Sequence, residues 1–402
     1  MIDEIICSRF DGGMDVALRE AGQVIQMVVV SDGGNDHVGN VVLGRVTGIL
    51  KGMEACFVDL GTDKSGFLSM SQRSHNDDAN SERNAAIHEG AEVLVQVTKA
   101  PQAGKGAGLT RNIGLPGRFL VFTPFQPRIA VSKRITDDDT RAKLEQTVSD
   151  FRGDEANGGF IVRTVAEDAD VDALKADAEN LRSTWAGIQQ AKVGATPPLL
   201  LYGEGVGLSE VLRDHGHENL RRVVVDDAGM ETEAKAFFET YLSGAATKIE
   251  LWGEEDPLFE ALGIEDEIDA ALSTEVSLPC GGSMLIEETQ ALTAIDINSG
   301  RNTGRNDGAG GHAQTIFETN MEAAHDLPRQ LRLRNQGGMV VIDFIHMDND
   351  DHCEKVLECL MEGLKRDPAF IEATGFSALG LVELSRRRGA GPLREQLDRV
   401  ED

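Results

Sequence analysis

Apolar and polar positions alternate along the first 35 residues, as in Val16-Ala17-Leu18 and Val24-Ile25-Gln26-Met27-Val28. A period of two is the signature of strands. The Gly-Gly pairs at 12–13 and 33–34 mark turns, so this stretch predicts a strand hairpin. Residues 38–112 are also strand-rich, in runs at 41–50, 55–61, 66–68 and 92–97. Short β-rich runs broken by glycine at close intervals predict a small barrel. The polar stretch from Ser71 to Ala86 predicts an exposed loop between two of its strands. The period then changes: Val171, Leu174, Ala178, Leu181 and Trp185 recur at helical spacing, and residues 113–200 read as α/β. Residues 205–270 continue with mixed segments, including the strand-like Arg222-Val223-Val224-Val225. A last domain from about Val276 to Leu397 holds two apolar strands, Leu292–Ile297 and Met339–Ile345, with a helix from roughly Ala313 to Arg334 between them.

A chain of 402 residues is too long for one core and predicts several domains. No apolar run reaches the length of a membrane span, so no transmembrane helix is expected. The start, Met1-Ile2-Asp3-Glu4, is acidic and unlike a signal peptide, which predicts a cytoplasmic protein. The five cysteines, Cys7, Cys56, Cys280, Cys353 and Cys359, form no C-x-x-C pair and read as reduced thiols. The net charge of −29, from 39 basic and 68 acidic residues, argues by itself against a nucleic-acid partner. A basic groove can nevertheless survive inside an acidic shell, and adaptation to a salty habitat also produces such a shell.

Asp296 and Asp343 each end an apolar run. A carboxylate there is costly unless it is paired or bound to a metal. If the two strands lie side by side, both carboxylates emerge at one edge of the sheet. Hard oxygen ligands of this kind suit Mg²⁺, which can activate water against a phosphodiester. Asn298 falls on the same face as Asp296 if the strand continues, where its amide can orient the carboxylate or a phosphate. An Asp at a strand end also makes turns and helix caps, and the pattern alone leaves both readings open.

The blocks Ala291–Gly300, Thr315–His325, Arg329–Gly338 and Val341–Ile345, in this order and spacing, resemble the catalytic domain of the ribonuclease E/G family. The resemblance implies that Asp296 and Asp343 hold Mg²⁺, with Mn²⁺ able to substitute, and that Asn298 supports them. Residues 38–112 resemble the S1 barrel of the same family, an OB-type fold. The likeness rests on Gly44-Arg45-Val46, Ala55–Gly61, Gly66-Phe67-Leu68 and Gly104–Thr110. Such a face binds single strands by stacking bases on aromatic rings, which makes Phe57 and Phe67 stacking candidates and Lys105 a phosphate candidate. Core packing is the other reading of a strand phenylalanine. Arg163-Thr164 follows Phe160-Ile161-Val162; the resemblance makes the pair a sensor of a 5′-monophosphate, where an arginine fork suits a terminal phosphate. Without the resemblance, Arg163 reads as a surface salt-bridge residue. Lys133-Arg134 resembles a basic segment near that pocket. Arg386-Arg387-Arg388 reads either as phosphate contacts or as a solvated basic face.

The fold implied is α+β and multidomain: an S1/OB β-barrel inserted in an RNase H-like region, a 5′-sensor α/β region and a DNase I-like catalytic domain. Its expected boundaries are 1–37 and 201–275 for the two parts of the RNase H-like region, 38–112 for the S1 domain, 113–200 for the sensor and 276–397 for the catalytic domain. The activity implied is Mg-dependent endoribonucleolytic cleavage of single-stranded RNA, favouring 5′-monophosphorylated substrates, in RNA processing or decay. The rival is a noncatalytic S1-type RNA-binding protein. Three departures from the family pattern stand out. The C-P-x-C zinc link is missing from the sequence, so no zinc is expected and any homodimer would lack that link. The loop from Gly300 to Gly311 is longer than usual. His346 replaces an acidic residue, and Pro328 enters a helix it is expected to kink or break.

Overall fold

The alternating N-terminal stretch forms a three-stranded meander: β1 (Glu4–Phe10), β2 (Gly13–Glu20) and β3 (Gln23–Ser31). The first turn carries Gly12 at φ 95°, where a Gly-Gly pair predicts it. The second turn lies at Ala21-Gly22, with φ of 51° and 83°. Two central residues with positive φ are what a two-residue hairpin turn needs, and Ala21 conceals that need in the sequence. The pair at 33–34 falls outside the described residues. A computed structural model describes residues 2–31, 37–70, 87–99, 101, 105–152, 158–167, 169–203, 207–289, 291–300, 309–387 and 391–401. The chain divides into two compact units, one of Met1–Val30, Asn219–Glu231 and Ala246–Asp402, the other of Ser31–Glu218 and Thr232–Ala245.

The second unit contains β4 (Val41–Leu50), β5 (Ala55–Asp59), β6 (Gly66–Ser69), β7 (Glu92–Lys99) and β8 (Gly108–Thr110). Their order is β4-β5-β6-β8-β7, and pairing of β4 with β7 closes a five-stranded barrel. Val42, Val46, Cys56, Val58, Leu68, Val95 and Val97 fill it. Gly44 is required for this closure, because a β-carbon there would lie 2.5 Å from the Val58 side chain and 2.8 Å from the Asp59 carbonyl oxygen. The loop expected at 71–86 lies outside the described residues. There follow β9 (Leu115–Pro116), β10 (Leu120–Thr123), β11 (Ile129–Val131), α1 (Asp138–Arg152), β12 (Gly159–Val162), α2 (Val171–Lys192), β13 (Leu199–Tyr202) and α3 (Leu208–His215). The sheet β11-β12-β10-β9 packs Phe122 and Phe160 against Leu144, Val148, Leu174 and Leu181 of α1 and α2. Val171, the first residue of the expected apolar stripe, is exposed, whereas Asp177 is buried.

The first unit resumes with β14 (Arg222–Val225), followed by α4 (Ala228–Tyr241), which crosses the division, and then β15 (Lys248–Leu251), α5 (Leu258–Ala261) and α6 (Ile264–Leu272). The first sheet reads β15-β14-β1-β2-β3, with β15, β14 and β1 parallel and β2 antiparallel to β1. The last stretch holds β16 (Glu275–Ser277), β17 (Ser283–Glu288), β18 (Leu292–Asn298), α7 (Ala309–Leu333), β19 (Gly338–Asp343), α8 (Asp350–Leu364), β20 (Ile371–Phe376), β21 (Leu381–Arg386) and α9 (Leu393–Glu401). Its sheet order is β16-β17-β18-β19-β21-β20. Ile295, Ile297, Val340 and Ile342 share one core with Ala323, Leu327, Leu331, Val356 and Leu360 of α7 and α8.

Helix α7 continues through Pro328, so of the expected kink or break the break does not occur. Proline removes one helix hydrogen bond. Here its ring packs on Gly363 of α8, where a β-carbon would come 2.6 Å from Pro328 Cγ. The flanking Leu327 and Leu331 are fully buried. Tertiary packing on both sides of the proline therefore outweighs the lost bond.

Candidate active site and nucleic-acid interface

Strands β18 and β19 are parallel, and their register runs from Leu292↔Met339 to Asp296↔Asp343. Neighbouring strands lie about 4.8 Å apart, so the two aspartates are direct neighbours at the end of the ladder. Thr293, Ile295 and Ile297 of β18 and Val340 and Ile342 of β19 point into the core. Asp296, Asn298 and Asp343 are exposed on the other face. A slip of one residue would set an isoleucine beside an aspartate, so register makes the pair.

Asn298 Nδ2 donates to Asp296 Oδ2 at 2.7 Å, the orienting contact anticipated for it. Among the described residues neither aspartate caps a helix; the N-cap of α8 is Asn349, whose side chain accepts from Asp351 N. Among the described residues no lysine, arginine or histidine pairs with either carboxylate. None of those residues forms a group of three or more His, Cys, Asp or Glu suited to a metal. Two adjacent carboxylates with a supporting amide fit a hard ion that keeps most of its waters. They do not fit an ion that needs a full protein cage. Residues 301–308, most of the loop after Gly300, lie outside the described residues.

On the barrel, Phe57 and Phe67 are register partners on β5 and β6. Phe57 is 38% exposed and Phe67 half-buried, with ring centroids 6.2 Å apart at 71°. Neither is among the residues that fill the barrel. The row extends across the sheet as Gly48–Phe57–Phe67–Gly108–Lys99. A glycine on each side leaves the two rings without a neighbouring side chain in that row. Lys105 is exposed, and the next residue, Gly106, packs so closely that a β-carbon would sit 2.0 Å from the Ser65 carbonyl oxygen. Phe67 N donates to Ala107 O at 2.7 Å, which ties this loop to β6. Lys99 was not singled out from the sequence; only the β7–β8 register aligns it with the two rings.

Arg163 lies between β12 and the short turn Thr164–Ala166. Its Nη1 donates to Gly117 O at 2.7 Å and its Nη2 to Asp214 Oδ1 at 2.6 Å. The salt bridge engages one nitrogen of Arg163, and among the described residues nothing accepts from its Nε–H. Thr164 Oγ1 and Ser132 Oγ are 2.9 Å apart, which brings Thr164 beside the exposed Lys133-Arg134. Asp214 also pairs with Arg213 at 3.3 Å. Burial pushes the Asp214 carboxyl up, but Arg213 and Arg163 together hold it below the usual carboxylate range.

The strand entry behind Arg163 is fixed by Asp177. Its carboxylate accepts from the backbone N–H groups of Arg118, Phe119 and Leu120 at 3.1, 2.8 and 2.9 Å. Burial raises its pKa against these bonds. Arg118 in turn caps the end of α3, donating to the carbonyls of Leu212, Arg213 and Gly216. A cavity of about 410 Å³ adjoins this wall, lined in part by Gly117, Asp177, Asn180, Arg213 and Tyr241.

Arg386 does not offer itself to phosphate. It is 4% exposed and forms a bidentate pair with Asp367 at 2.8 and 3.2 Å. Arg387 is exposed, and Arg388 lies outside the described residues.

Comparison with known proteins adds to this geometry. The Ribonuclease E/G family description matches residues 114–389, and the S1 RNA binding domain matches residues 35–111. Ribonuclease G of Haemophilus influenzae is 37% identical over 395 residues, covering 96% of this chain and 78% of that protein. Ribonuclease G of Escherichia coli K12 is 36% identical over 395 residues, covering 96% and 79%. Ribonuclease E of the same organism is 35% identical over 394 residues, covering 96% of this chain but only 37% of that protein.

Proposed function

The chain belongs to the ribonuclease E/G family and is an endoribonuclease of RNA processing or decay; from that premise we propose that it cuts single-stranded RNA with Mg²⁺ held between Asp296 and Asp343. The observation that carries this reading is the register pair Asp296↔Asp343, two exposed carboxylates that no described cation neutralises. A divalent cation bound there supplies activation of water and neutralisation of charge on the phosphate. Asp296 and Asp343 provide the negative face that retains it. Asn298 holds Asp296 in one rotamer and shields it from turning away. The row of Phe57 and Phe67 stacks bases, while Lys99 and Lys105 meet the backbone. With few lysines engaged inside an acidic shell, stacking carries most of the RNA affinity, and its salt dependence is shallow.

The noncatalytic alternative is disfavoured by the intact Asp296, Asn298 and Asp343 set. Arg163 and Thr164, with Ser132 to Arg134 beside them, form the pocket for a 5′-monophosphate. There the terminal phosphate competes with Asp214 for the Arg163 fork. The sheet order β15-β14-β1-β2-β3 supports an RNase H-like region, and the sheet carrying the aspartates supports a DNase I-like domain. No described helix is long and apolar enough to cross a membrane, and we assign the protein to the cytoplasm.

The decisive experiment incubates a 5′-monophosphorylated A/U-rich oligonucleotide with the protein and Mg²⁺ and sequences the ends. Cuts with 3′-hydroxyl and 5′-phosphate ends are expected. No cleavage, or 2′,3′-cyclic ends, overturns the reading.

A further inference from the structure

We propose that Asn320, a buried residue of α7, is the positioning residue that keeps Asp343 beside Asp296. The inference rests on the role proposed above for that pair. The Asp296 carboxylate is steadied by Asn298. The Asp343 carboxylate accepts no hydrogen bond from the described residues; among them, what places it is its own backbone. Upstream that backbone is held by pairing with β18 and β21. The pairing stops at Asp343 itself, where the chain leaves the sheet.

Two contacts take over beyond that point. Phe344 turns into the core against Phe376, with ring centroids 5.9 Å apart. Asn320 then takes both backbone polar groups of Ile345: its Nδ2 donates to Ile345 O at 2.7 Å, and Ile345 N donates to its Oδ1 at 3.1 Å. Asn320 is fully buried. Its amide does for Ile345 what a neighbouring strand would do, offering one donor and one acceptor to a backbone that has left the ladder. The residue type follows from this. An aspartate offers two acceptors and sets one of them against the Ile345 carbonyl, and an aliphatic side chain offers neither partner.

The same turn of α7 also meets the turn between β16 and β17, which lies against the end of β18. Glu322 Oε2 accepts from Cys280 N at 2.8 Å. A β-carbon on Gly282 would meet Thr319 Cγ2 at 2.8 Å and Asn298 O at 2.7 Å. Gly300, at φ 55°, rests on Gly281, where a β-carbon would lie 2.5 Å from the carbonyl oxygen. Residues 319–322 thus hold the exit of β19 through Asn320, and through Thr319 and Glu322 they hold the β16–β17 turn that lies against the exit of β18.

The test is a Mn²⁺ titration of the RNA-free protein, followed by electron paramagnetic resonance, on wild type, Asn320→Asp, Asp343→Asn and Leu331→Ala. Leu331 is a fully buried residue of the same helix and core, away from the strand exits. Loss of a positioning contact typically weakens metal binding by about 10-fold or more, and that is the shift expected for Asn320→Asp, with RNA affinity unchanged. Leu331→Ala is expected to lower Tm while leaving Mn²⁺ affinity as in wild type. Should Asn320→Asp fail to fold, Asn320→Ala, which leaves both backbone groups of Ile345 without this partner, is read in its place and is expected to weaken Mn²⁺ in the same direction. Unchanged Mn²⁺ affinity in the folded variant, or an equal loss in Leu331→Ala, overturns the proposal. Unchanged affinity in Asp343→Asn overturns the assignment of the pair and this inference with it. If Asp343→Asn loses the ion and Asn320→Asp does not, the positioning role alone falls.

Discussion

Replacing Asp343 by asparagine changes one atom of the exposed pair and separates chemistry from folding. The two strands stand about 4.8 Å apart, so both carboxylates face any ion lodged between them. One unit of charge about 4 Å away, at an effective dielectric constant of about 20, is worth on the order of 4 kcal/mol. If that interaction is lost in the transition state, the rate falls by roughly 10²–10³-fold, allowing for what the amide oxygen recovers. The effect on the fold has the opposite sign, because the variant relieves repulsion between two like charges that no described cation offsets. Tm should therefore equal or exceed that of wild type. Single-turnover cleavage of a labelled 5′-monophosphorylated oligonucleotide across a Mg²⁺ series measures the first effect. Thermal melting measures the second, and fluorescence anisotropy reports RNA binding, which should stay within about twofold because stacking on the barrel carries it. Rates within tenfold of wild type for both Asp343→Asn and Asp296→Asn would refute the reasoning, as would a Tm lowered by several degrees.

Three further outcomes are expected. Phe57→Ala should weaken binding of a single-stranded oligonucleotide by about 1–3 kcal/mol, the worth of one stacked base; Lys99→Ala should cost less and reduce the salt slope of log Kd, and a change in neither would remove the Gly48-to-Lys99 row from the interface. Wild-type protein should cut 5′-monophosphorylated RNA faster than 5′-hydroxyl RNA, Arg163→Ala should flatten the difference, and Asp214→Asn, which frees the guanidinium fork, should widen it. Because Asp214 is held below the usual range, its ion pair stabilises the fold at neutral pH and is lost only as pH falls through that lowered value. Asp15, whose Oδ1 is buried with no partner among the described residues, has its pKa raised by burial from 3.8 to about 6; the folded state then binds more protons than the unfolded chain, stability falls as pH rises through that window, and Asp15→Asn should raise Tm at pH 7.5 but not at pH 4.5 in calorimetry.

The strands that carry the candidate site were legible in local patterns, while the choice of Asp296, Asn298 and Asp343 came from the resemblance to the ribonuclease E/G family. Apolar runs before Asp296 and Asp343 predict strands, and the cost of burying a charge predicts exposed carboxylates: Asp343 ends β19, while Asp296 lies within β18 on the exposed face. Closely spaced glycines announced the barrel, and Gly44 shows why: only a bare Cα lets β4 pass Val58 and Asp59. The repeat from Leu174 to Leu181 announced α2. Local rules fail where the deciding partner is distant in the chain. Asp177 sits on the buried side of α2 because three N–H groups from residues 118–120 converge on it. Pro328 stays helical because Gly363 receives its ring. Arg386 belongs to the interior because Asp367 waits there. Lys99 joins Phe57 and Phe67 only through the register of three strands.

The sequence by itself determined the elements that carry the candidate site and, through its family resemblance, the residues to look for, since periodicity, turn chemistry and the cost of burying charge act over a few residues. Only the tertiary structure decided that Asp296 faces Asp343, that Asn320 holds the exit of β19 and that Arg163 is engaged by Asp214. Strand register and side-chain pairing are settled by long-range packing, where many weak contacts must agree at once, and no local pattern contains that agreement.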